Sequence, residues 1–345
     1  MVSGVLLPEG EQRTLWIDGD VLRTEPVADA TVLADEGWII PGLVDTHTHP
    51  GTEKPGDTFE DEVLRRHLIS HRDKGVLLVR TPGTHAPIPS WVEDDPELPR
   101  VRSAGRWLAT PGRFFPGYGR DVTEDDLVTS ALEELKTSSG WCKVIGDWMP
   151  DTAPVPADLL RATADAVHAA GGKLAVHCQT AEGCRNAVNA GADSLEHGMH
   201  LAPDLLDQMA RQGTALVPTL VAFAPAVDRL RGTESSRRRD WLVNGFDAML
   251  DLVRPAFEAG VTVLAGTDSM PFGSVAAEIA WLVRTGLPPH EALGAASWTA
   301  RTWLGLPGAV NGAPADLVVY PADPVREPAV LAHPSRIILR GRVIL

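Results

Sequence analysis

The sequence predicts an α/β protein: a (β/α)8 TIM barrel, residues 39–312, with a small β-sandwich domain built from both chain termini, residues 1–38 and 313–345. Two observations predict this organisation. Eight short apolar runs alternate with amphipathic helical stretches through the middle of the chain, whereas both ends contain short strands separated by turns. A doubly wound open sheet is the alternative, but no apolar run is followed by GxGxxG or a P-loop sequence, so the barrel is favoured.

Short strands at both ends of the chain predict the terminal domain. Residues 1–38 contain GVLL, RTLWIDG, VLRT and ATVLA, with a turn at Gly19 and Asp20 that favours hairpins. The C-terminal runs DLVVY, RIILR and RVIL show the same character, and the last two are joined through Gly341. Two strand-rich ends around a middle of different period indicate one composite β domain.

The middle of the chain supplies the strands and helices of the predicted barrel. Helical stretches such as DTFEDEVLRRHLISHRDKG, TEDDLVTSALEELKTSSG and PADLLRATADAVHAAGG separate the apolar runs, and several of them end on glycine. Eight strands that alternate with helices imply parallel βαβ units, and eight is the number that closes a barrel. The eight runs are WIIPGLVD, GVLLVR, VRSAGRWLA, WCKVIGD, GKLAVHC, DSLEHG, TALVPTL and VTVLAGTD.

The segment TPGRFFPGYGR, residues 110–120, follows the third predicted strand and is rich in glycine, proline and aromatic residues. Because barrel enzymes place their sites at the carboxyl ends of the strands, this segment is expected at the catalytic rim. Two interpretations stay open: a loop that covers the substrate, and a loop that only packs against its surroundings.

Composition limits the class of partner. The net charge of −15 disfavours nucleic acid and anionic membranes, so a small-molecule substrate is the expected partner. Three cysteines are too few for a disulfide framework, and the N-terminus lacks the pattern of a signal peptide, so we expect a cytoplasmic protein. Ten tryptophans favour a large core, with contacts in a homo-oligomer as the alternative.

Polar residues interrupt the predicted strands near their carboxyl ends, where barrel chemistry gathers. Each alone has an ordinary explanation, such as a core histidine or a helix N-cap, but together they predict a metal site of imidazoles and carboxylates. We expect zinc, with manganese, cobalt and iron as alternatives. The residues are His47, His49, Lys143, His177, His197 and Asp268.

Two of these strands carry further signals. His47 and His49 are two residues apart and project from the same face of a strand, with Asp45 below them in a position to orient one imidazole. Lys143 lies inside the apolar run WCKVIG, where an unpaired ammonium is costly. Carbamylation by carbon dioxide would turn Lys143 into a carboxylate-like anion able to bridge two metal ions.

The segments PGLVDTHTHP, AVHCQT, SLEHG and AGTDS, with the strand-borne Lys143, resemble the amidohydrolase superfamily. The similarity is closest to its imidazolonepropionase-like and Xaa-Pro dipeptidase-like branch. GAPADLVVYPADP and RIILRGRVI also resemble the C-terminal strands of that family. The resemblance implies two divalent metal ions: one held by His47, His49 and Asp268, the other by His177 and His197, with carbamylated Lys143 bridging them.

The resemblance also implies a reaction. A hydroxide that bridges the metals would attack the carbonyl carbon of an amide-type C–N bond in a dipeptide, an N-acyl compound or a cyclic amide. Asp268 would act as general base and then as general acid toward the leaving amine.

Two other functions compete with this one. A mononuclear enzyme with uncarbamylated Lys143 would suit deamination or the opening of a cyclic amide or lactone. Its ligands would be His47, His49, His177 and Asp268. A non-catalytic barrel scaffold is the third interpretation, because fold alone does not imply activity.

Six residues are candidates for substrate binding, and they follow ligand-bearing or rim strands: Arg80, Tyr118, Trp148, Gln179, His200 and Met270. Arg80 would either bind a substrate carboxylate or pair with a neighbouring acid. The sequence departs from the family because VRTPG lacks an acid after Arg80 and only two tyrosines are present. A dipeptidase would therefore depend on Tyr118, His200 or an arginine, which favours cyclic amides, lactones and N-acyl compounds instead.

Overall fold

The computed structural model describes residues 1–54, 57–115 and 118–345. In chain order its strands are β1 (Val2–Leu6), β2 (Glu11–Asp18), β3 (Val21–Arg23), β4 (Trp38–Pro41), β5 (Leu43–Asp45), β6 (Val76–Thr81), β7 (Arg100–Ser103), β8 (Leu108–Ala109), β9 (Arg120–Asp121), β10 (Trp141–Ile145), β11 (Lys173–Cys178), β12 (Ser194–His197), β13 (Ala215–Val217), β14 (Leu317–Tyr320), β15 (Arg336–Leu339) and β16 (Arg342–Val343).

The helices lie mainly between the central strands. They are α1 (Asp61–Arg72), α2 (Trp91–Asp94), α3 (Leu127–Leu135), α4 (Ala157–Ala169), α5 (Ala181–Ala190), α6 (Leu206–Gln212), α7 (Leu220–Arg231), α8 (Arg237–Glu258), α9 (Val275–Arg284), α10 (Pro289–Gly294) and α11 (Trp298–Trp303), with 3₁₀ turns at Pro203–Leu205 and Pro328–Ala332. Among the helices described, none has the length and apolar character needed to span a bilayer.

Both ends of the chain contribute to one seven-stranded sheet, in the order β16-β15-β14-β4-β1-β2-β3. The sheet curls, because Leu22 of β3 exchanges backbone hydrogen bonds with residues 312 and 313, which precede β14. Six of its strands fill one apolar core with Val2, Leu6, Leu15, Leu22, Ile39, Leu317, Val319 and Ile338. The strands predicted as a sandwich are thus linked in a single curled sheet.

The run WIIPGLVD, predicted as the first barrel strand, is two strands in different sheets. β4 pairs with β1 and β14 in the terminal sheet, whereas β5 pairs with β6. Gly42 lies between them, and a Cβ there would stand 2.6 Å from the Leu77 side chain. Only glycine lets the backbone pass this closely over β6. Residues 39–41 lie in the terminal sheet with β4, and not in the sheet of β5 and β6.

The central strands are parallel and curl around the site. They form a six-stranded sheet, β13-β12-β11-β10-β8-β9, and a three-stranded sheet, β5-β6-β7. The run predicted as the third strand is divided into β7 and β8. The run predicted as the eighth, residues 261–268, makes only an isolated bridge from Val263 to Leu216. On its other side Thr46 donates to the Ala265 carbonyl, so this segment contacts both β13 and β5.

Helix formation follows local sequence. In α4 the buried residues Leu160, Thr163, Ala164 and Val167 recur at helical spacing, which gives the helix one face toward the strands. The Thr180 hydroxyl caps α5 by accepting from the Gly183 N–H at 3.0 Å. The Thr180 cap fixes the residue at which α5 begins, and it therefore also fixes the end of the loop that leaves the carboxyl end of β11.

Asp316 joins the terminal sheet to the central strands through buried contacts. Its carboxylate accepts from Arg100 Nε at 2.8 Å and lies 3.7 Å from Arg301 Nη1. Its carbonyl accepts from the Gly42 N–H, and Arg301 Nε donates to the Gly42 carbonyl at 2.8 Å. The loss of this carboxylate would leave Arg301 buried without its acidic partner.

We therefore expect Asp316→Ala to lower the free energy of unfolding by about 3–5 kcal/mol, as for other broken buried pairs. Asp204→Ala is the matched control, because the Asp204 side chain is 63% exposed in its pair with Arg185. That control should leave the free energy of unfolding nearly unchanged. Urea unfolding measures both values, and equal losses would contradict the assigned role of Asp316.

Candidate metal centre at the carboxyl ends of the parallel strands

A cavity of about 360 Å³ opens where the parallel strands end. Different strands deliver its polar side chains, which is why residues far apart in sequence meet there. The ligand atoms of His47, His197 and Asp268 lie within 4.8 Å of one another. All six residues predicted as metal ligands line the cavity: His47, His49, Lys143, His177, His197 and Asp268.

His47 and His49 direct their Nε2 atoms at each other. The two Nε2 atoms are 3.2 Å apart, and His49 Nε2 lies 3.4 Å from Asp268 Oδ1. The Nδ1 atoms point away: that of His47 donates to Glu196 Oε2 at 2.8 Å and that of His49 to the Gly83 carbonyl at 2.6 Å. Since Nδ1 carries the proton, both Nε2 lone pairs face the cavity, as in metal-ligating histidines.

His197 and His177 form the opposite wall. His197 Nδ1 donates to Thr219 Oγ1 at 2.7 Å, and the Thr219 hydroxyl donates to the Pro218 carbonyl at 2.8 Å. The Nε2 lone pair of His197 therefore faces the cavity, 4.0 Å from Asp268 Oδ2. His177 Nε2 is buried and has no hydrogen-bond partner among the described residues, with its ring 4.6 Å from that of His197. A divalent cation would satisfy this orphaned nitrogen.

Lys143 projects into the same cavity from β10, a strand whose five residues are all buried. No carboxylate of the described residues lies within 4 Å of its Nζ in an ion pair. Burial lowers the pKa of the Lys143 ammonium to about 8, although the charge on Glu196 opposes the shift. The neutral amine, the form that reacts with carbon dioxide, is therefore more populated near neutral pH than it is in an exposed lysine.

Burial also sets the charge state of the ligand candidates. It lowers the pKa values of His49, His177 and His197 well below the ordinary range, so these imidazoles are neutral at pH 7 and their lone pairs are free. Burial raises the pKa of Asp268, while the neighbouring His47 and Lys143 side chains oppose that shift. This donor set fits a divalent ion of the zinc type.

Proteins of similar sequence indicate the family to which this chain belongs. The sequence profile of the amidohydrolase family matches residues 38–344. The chain belongs to the amidohydrolase family. An uncharacterized protein of Mycobacterium tuberculosis strain H37Rv is 40% identical over 355 residues, which cover 99% of this chain and 94% of that protein. The superfamily membership predicted from the sequence is therefore confirmed.

Solved structures show the same fold for this amidohydrolase. A Xaa-Pro dipeptidase with methionine bound in its active site superposes with a TM-score of 0.84 at 21% identity, covering 99% of this chain and 98% of that one. A putative prolidase from Bifidobacterium longum gives 0.85 at 24% identity, covering 99% and 93%. At these identities the comparisons establish the fold.

Backbone strain gathers at the centre of the amidohydrolase site. His197, Thr219 and Asp268 have φ values of 70°, 49° and 43°, in the left-handed region that side chains other than glycine rarely occupy. His197 ends β12, Asp268 ends the segment 261–268, and Thr219 lies between β13 and α7. The turn lets Glu196 and His197 serve the same site although they are adjacent, since His197 lines the cavity while Glu196 lies behind His47.

Glu196 is the functional residue that the sequence analysis missed. Its fully buried carboxylate accepts from Arg80 Nη1 at 2.9 Å, from Ser194 Oγ at 2.6 Å and from His47 Nδ1. Burial alone would raise the pKa of Glu196, but Arg80, Lys143 and His47 outweigh it and hold the pKa well below its usual range. The sequence contains the signal for this ion pair: an acid in the strand segment SLEHG and an arginine in the apolar run VLLVRT, each of which would need an opposite charge when buried.

The structure favours the ion-pair interpretation of Arg80 over substrate binding and corrects the role expected of Asp45. Arg80 does not line the cavity: it is fully buried under Trp141, with its guanidinium 4.2 Å from the ring centre. Its role is the ion pair with Glu196 rather than substrate binding. Asp45 orients no imidazole, because its carboxylate accepts from the backbone N–H groups of His47 and Thr267 at 3.1 and 3.0 Å. Glu196 orients His47 instead.

The other substrate-binding candidates divide between the cavity and its surroundings. His200 is not among the residues that line the cavity and stacks on Trp241 with ring centres 5.0 Å apart. Residues 116 and 117 of the predicted covering loop lie outside the described part of the chain. Four candidates do line the cavity: Tyr118, Trp148, Gln179 and Met270.

A buried glutamate fixes the turn that carries Thr219. Glu278 of α9 accepts from the Leu220 and Val221 N–H groups at 2.9 and 2.8 Å, at the start of α7. Burial raises the pKa of this carboxyl to about 8, although both hydrogen bonds oppose the shift. Glu278 thereby anchors the backbone that holds the acceptor for His197.

We expect Thr219→Val to weaken metal binding about 10–100-fold, because Nδ1 of His197 loses its acceptor. Thr163→Val is the control, since that buried hydroxyl bonds only the Leu159 carbonyl within α4. Titration with a competing chelator measures affinity. The assignment fails if both variants bind metal as the native protein does.

Proposed function

We propose that this amidohydrolase is a binuclear metal-dependent hydrolase of an amide-type C–N bond in a small molecule. The observation that carries the proposal is the convergence of four imidazoles, one carboxylate and one buried lysine on a single cavity. Three of the imidazoles have free Nε2 atoms there, and His177 Nε2 lacks a partner among the described residues. Such a set suits metal binding and hydrolytic chemistry.

The residues divide into two sets around Lys143. His47, His49 and Asp268 would hold one ion, and His177 and His197 the other, with carbamylated Lys143 between them. The absence of an acidic partner for Lys143 among the described residues supports carbamylation, because the modified side chain would carry the negative charge that two cations need. When bound, the ions would polarise a carbonyl group and lower the pKa of water toward neutrality.

Asp268 would move the proton. Its carboxylate is 27% exposed at the cavity and lies 3.4 Å from His49, so it faces both the ligands and the space for substrate. The carboxylate would take a proton from the attacking water and donate it to the leaving nitrogen. Its left-handed backbone, with φ of 43°, aims the side chain inward from the segment that leads into α9.

The surrounding fold supports this function. We propose that the central strands form the (β/α)8 barrel, closed by residues 261–268, which hydrogen-bond to β13 on one side and to β5 on the other. Closure would hold ligands from opposite sheets at fixed distances. Solved structures of similar fold include a Xaa-Pro dipeptidase and a prolidase, which is in keeping with C–N bond hydrolysis.

The test is metal content per chain for the native protein and for Lys143→Ala, both expressed with added bicarbonate. We expect about two ions in the native protein and one or fewer in the variant, with a matching loss of amide hydrolysis. Short carboxylic acids should restore part of the activity of the variant, because a free carboxylate replaces the carbamate. Lys173→Ala is the control, since Lys173 is exposed on the neighbouring strand β11.

One ion per chain in both proteins would contradict the binuclear proposal and favour the mononuclear alternative. Absence of bound metal in both, even after reconstitution, would contradict metal-dependent hydrolysis itself.

A further inference from the structure

One wall of the cavity, next to the rings of His49 and His177, is aromatic. The Phe114 ring lies 5.2 Å from Trp107 and 4.9 Å from Trp148, and the Phe115 ring lies 4.9 Å from Trp148, between ring centres. Tyr118 closes the group at 4.6 Å from Trp107. We call these five residues the aromatic wall. Edge-to-face packing of this kind makes a preformed apolar surface, which binds flat apolar groups with little loss of entropy.

The aromatic wall extends to the mouth of the cavity. There Phe115 is 45% exposed and Met270 is 56% exposed, although both are large apolar side chains. Exposed apolar surface that continues into a cavity marks a site for an apolar ligand. The reacting group of a substrate at the metal ligands would therefore lie next to an apolar portion of the same molecule.

The cavity has few cationic side chains that could bind a substrate carboxylate. Among the described residues that line it there is no arginine, and its cationic side chains are Lys54 and Lys143. Lys143 is assigned to the metal centre, and Lys54 is exposed beside Glu53, which also lines the cavity. Arg80 lies beneath the ligands, paired with Glu196. A substrate carboxylate would therefore lack a bidentate guanidinium partner among the described residues of the cavity.

We infer that the substrate is an uncharged N-acyl amine with an aromatic group, and that the enzyme discriminates against a free carboxylate beside the scissile bond. This inference rests on the proposed function and names its substrate class. In the reaction the oxygen of water bonds to the carbonyl carbon and the C–N bond breaks. One water proton goes to the leaving nitrogen by way of Asp268, and the products are a carboxylic acid and an amine.

The experiment compares four amides with the metal-loaded enzyme. N-benzoyl-2-phenylethylamine and N-benzoylphenylalanine are both aromatic and differ only in the carboxylate. N-acetylethylamine and N-acetylalanine repeat that difference without aromatic rings. We expect kcat/KM to be highest for N-benzoyl-2-phenylethylamine, about tenfold or more above N-benzoylphenylalanine and above N-acetylethylamine, since tenfold corresponds to about 1.4 kcal/mol.

Variants test each half of the inference. Phe114→Ala should lower kcat/KM for the aromatic amides about tenfold or more relative to its effect on N-acetylethylamine, whereas Phe114→Leu should retain part of the aromatic preference. Lys54→Ala should not alter the ratio between N-benzoylphenylalanine and its uncharged partner. Thermal unfolding checks that each variant folds.

Two results separate the inference from the proposed function. Hydrolysis of N-benzoylphenylalanine that is as fast as that of N-benzoyl-2-phenylethylamine, or faster, would overturn the inference while the hydrolase function stands. A Lys54→Ala variant that loses hydrolysis of N-benzoylphenylalanine but keeps that of its uncharged partner would do the same. Failure to hydrolyse any of the four amides, by protein that retains its metal, would count against the proposed function itself.

Discussion

Replacing Asp268 with asparagine is expected to lower kcat for amide hydrolysis about 10²–10⁴-fold, the range that a positioned general acid or base contributes. Asparagine keeps the size of the side chain but accepts no proton from water at neutral pH. It also tolerates left-handed backbone, so the φ of 43° at this position should not prevent folding. Steady-state kinetics and metal content of the purified variant give the measurement.

Asp247→Asn serves as the control for this prediction, because Asp247 is half exposed in a surface pair with Arg231. It should keep native activity. Activity of Asp268→Asn within about tenfold of native, with metal content unchanged, would assign the proton transfer to another group.

The second large effect is expected from Glu196→Ala. The substitution removes the acidic partner of Arg80, which has no exposure to solvent, and the acceptor of His47 Nδ1. An uncompensated buried guanidinium costs about 3–5 kcal/mol of unfolding free energy. Loss of the acceptor that orients a ligating histidine should also weaken metal binding about 10–100-fold.

A double substitution distinguishes these two roles of Glu196. Arg80→Met together with Glu196→Ala should recover much of the stability, because no charge is then left buried, while metal affinity stays low. Glu258→Ala is the surface control, since that side chain is 57% exposed in an i,i+4 pair with Arg254. Its cost should be below about 1 kcal/mol. Full recovery of metal affinity in the double variant would show that Glu196 does not position His47.

The candidate metal ligands could be placed from sequence because their signal is local. A histidine or aspartate at the end of an apolar run faces the rim of a parallel sheet, and the period of two puts His47 and His49 on one face. The structure brings these two and the other four candidates to one cavity. Metal binding itself, the number of ions and the carbamylation of Lys143 stay predictions.

The contacts behind the ligands could not be predicted in the same way. Alternation places Glu196 and His197 on opposite faces, and only the left-handed turn at His197 lets both serve one site. The run WIIPGLVD has the uniform apolar character of a single strand, and its division depends on how Gly42 passes Leu77. The sequence left two interpretations of Arg80 open, substrate binding and pairing with an acid, because its partner Glu196 is 116 residues away in the chain. Each outcome depends on tertiary contacts that the local pattern does not encode.

The residues with left-handed backbone near the strand ends lower the stability of the fold, although their side chains serve the candidate site. A non-glycine residue in this conformation costs of the order of 1 kcal/mol or more, and His197, Thr219 and Asp268 occupy it. Glycine at 219 or asparagine at 268 would relieve the strain and would be favoured in a search for thermostable variants. Such variants would lose the acceptor for His197 or the proton-transfer group. Selection for thermal stability alone would therefore act against the residues of the candidate site.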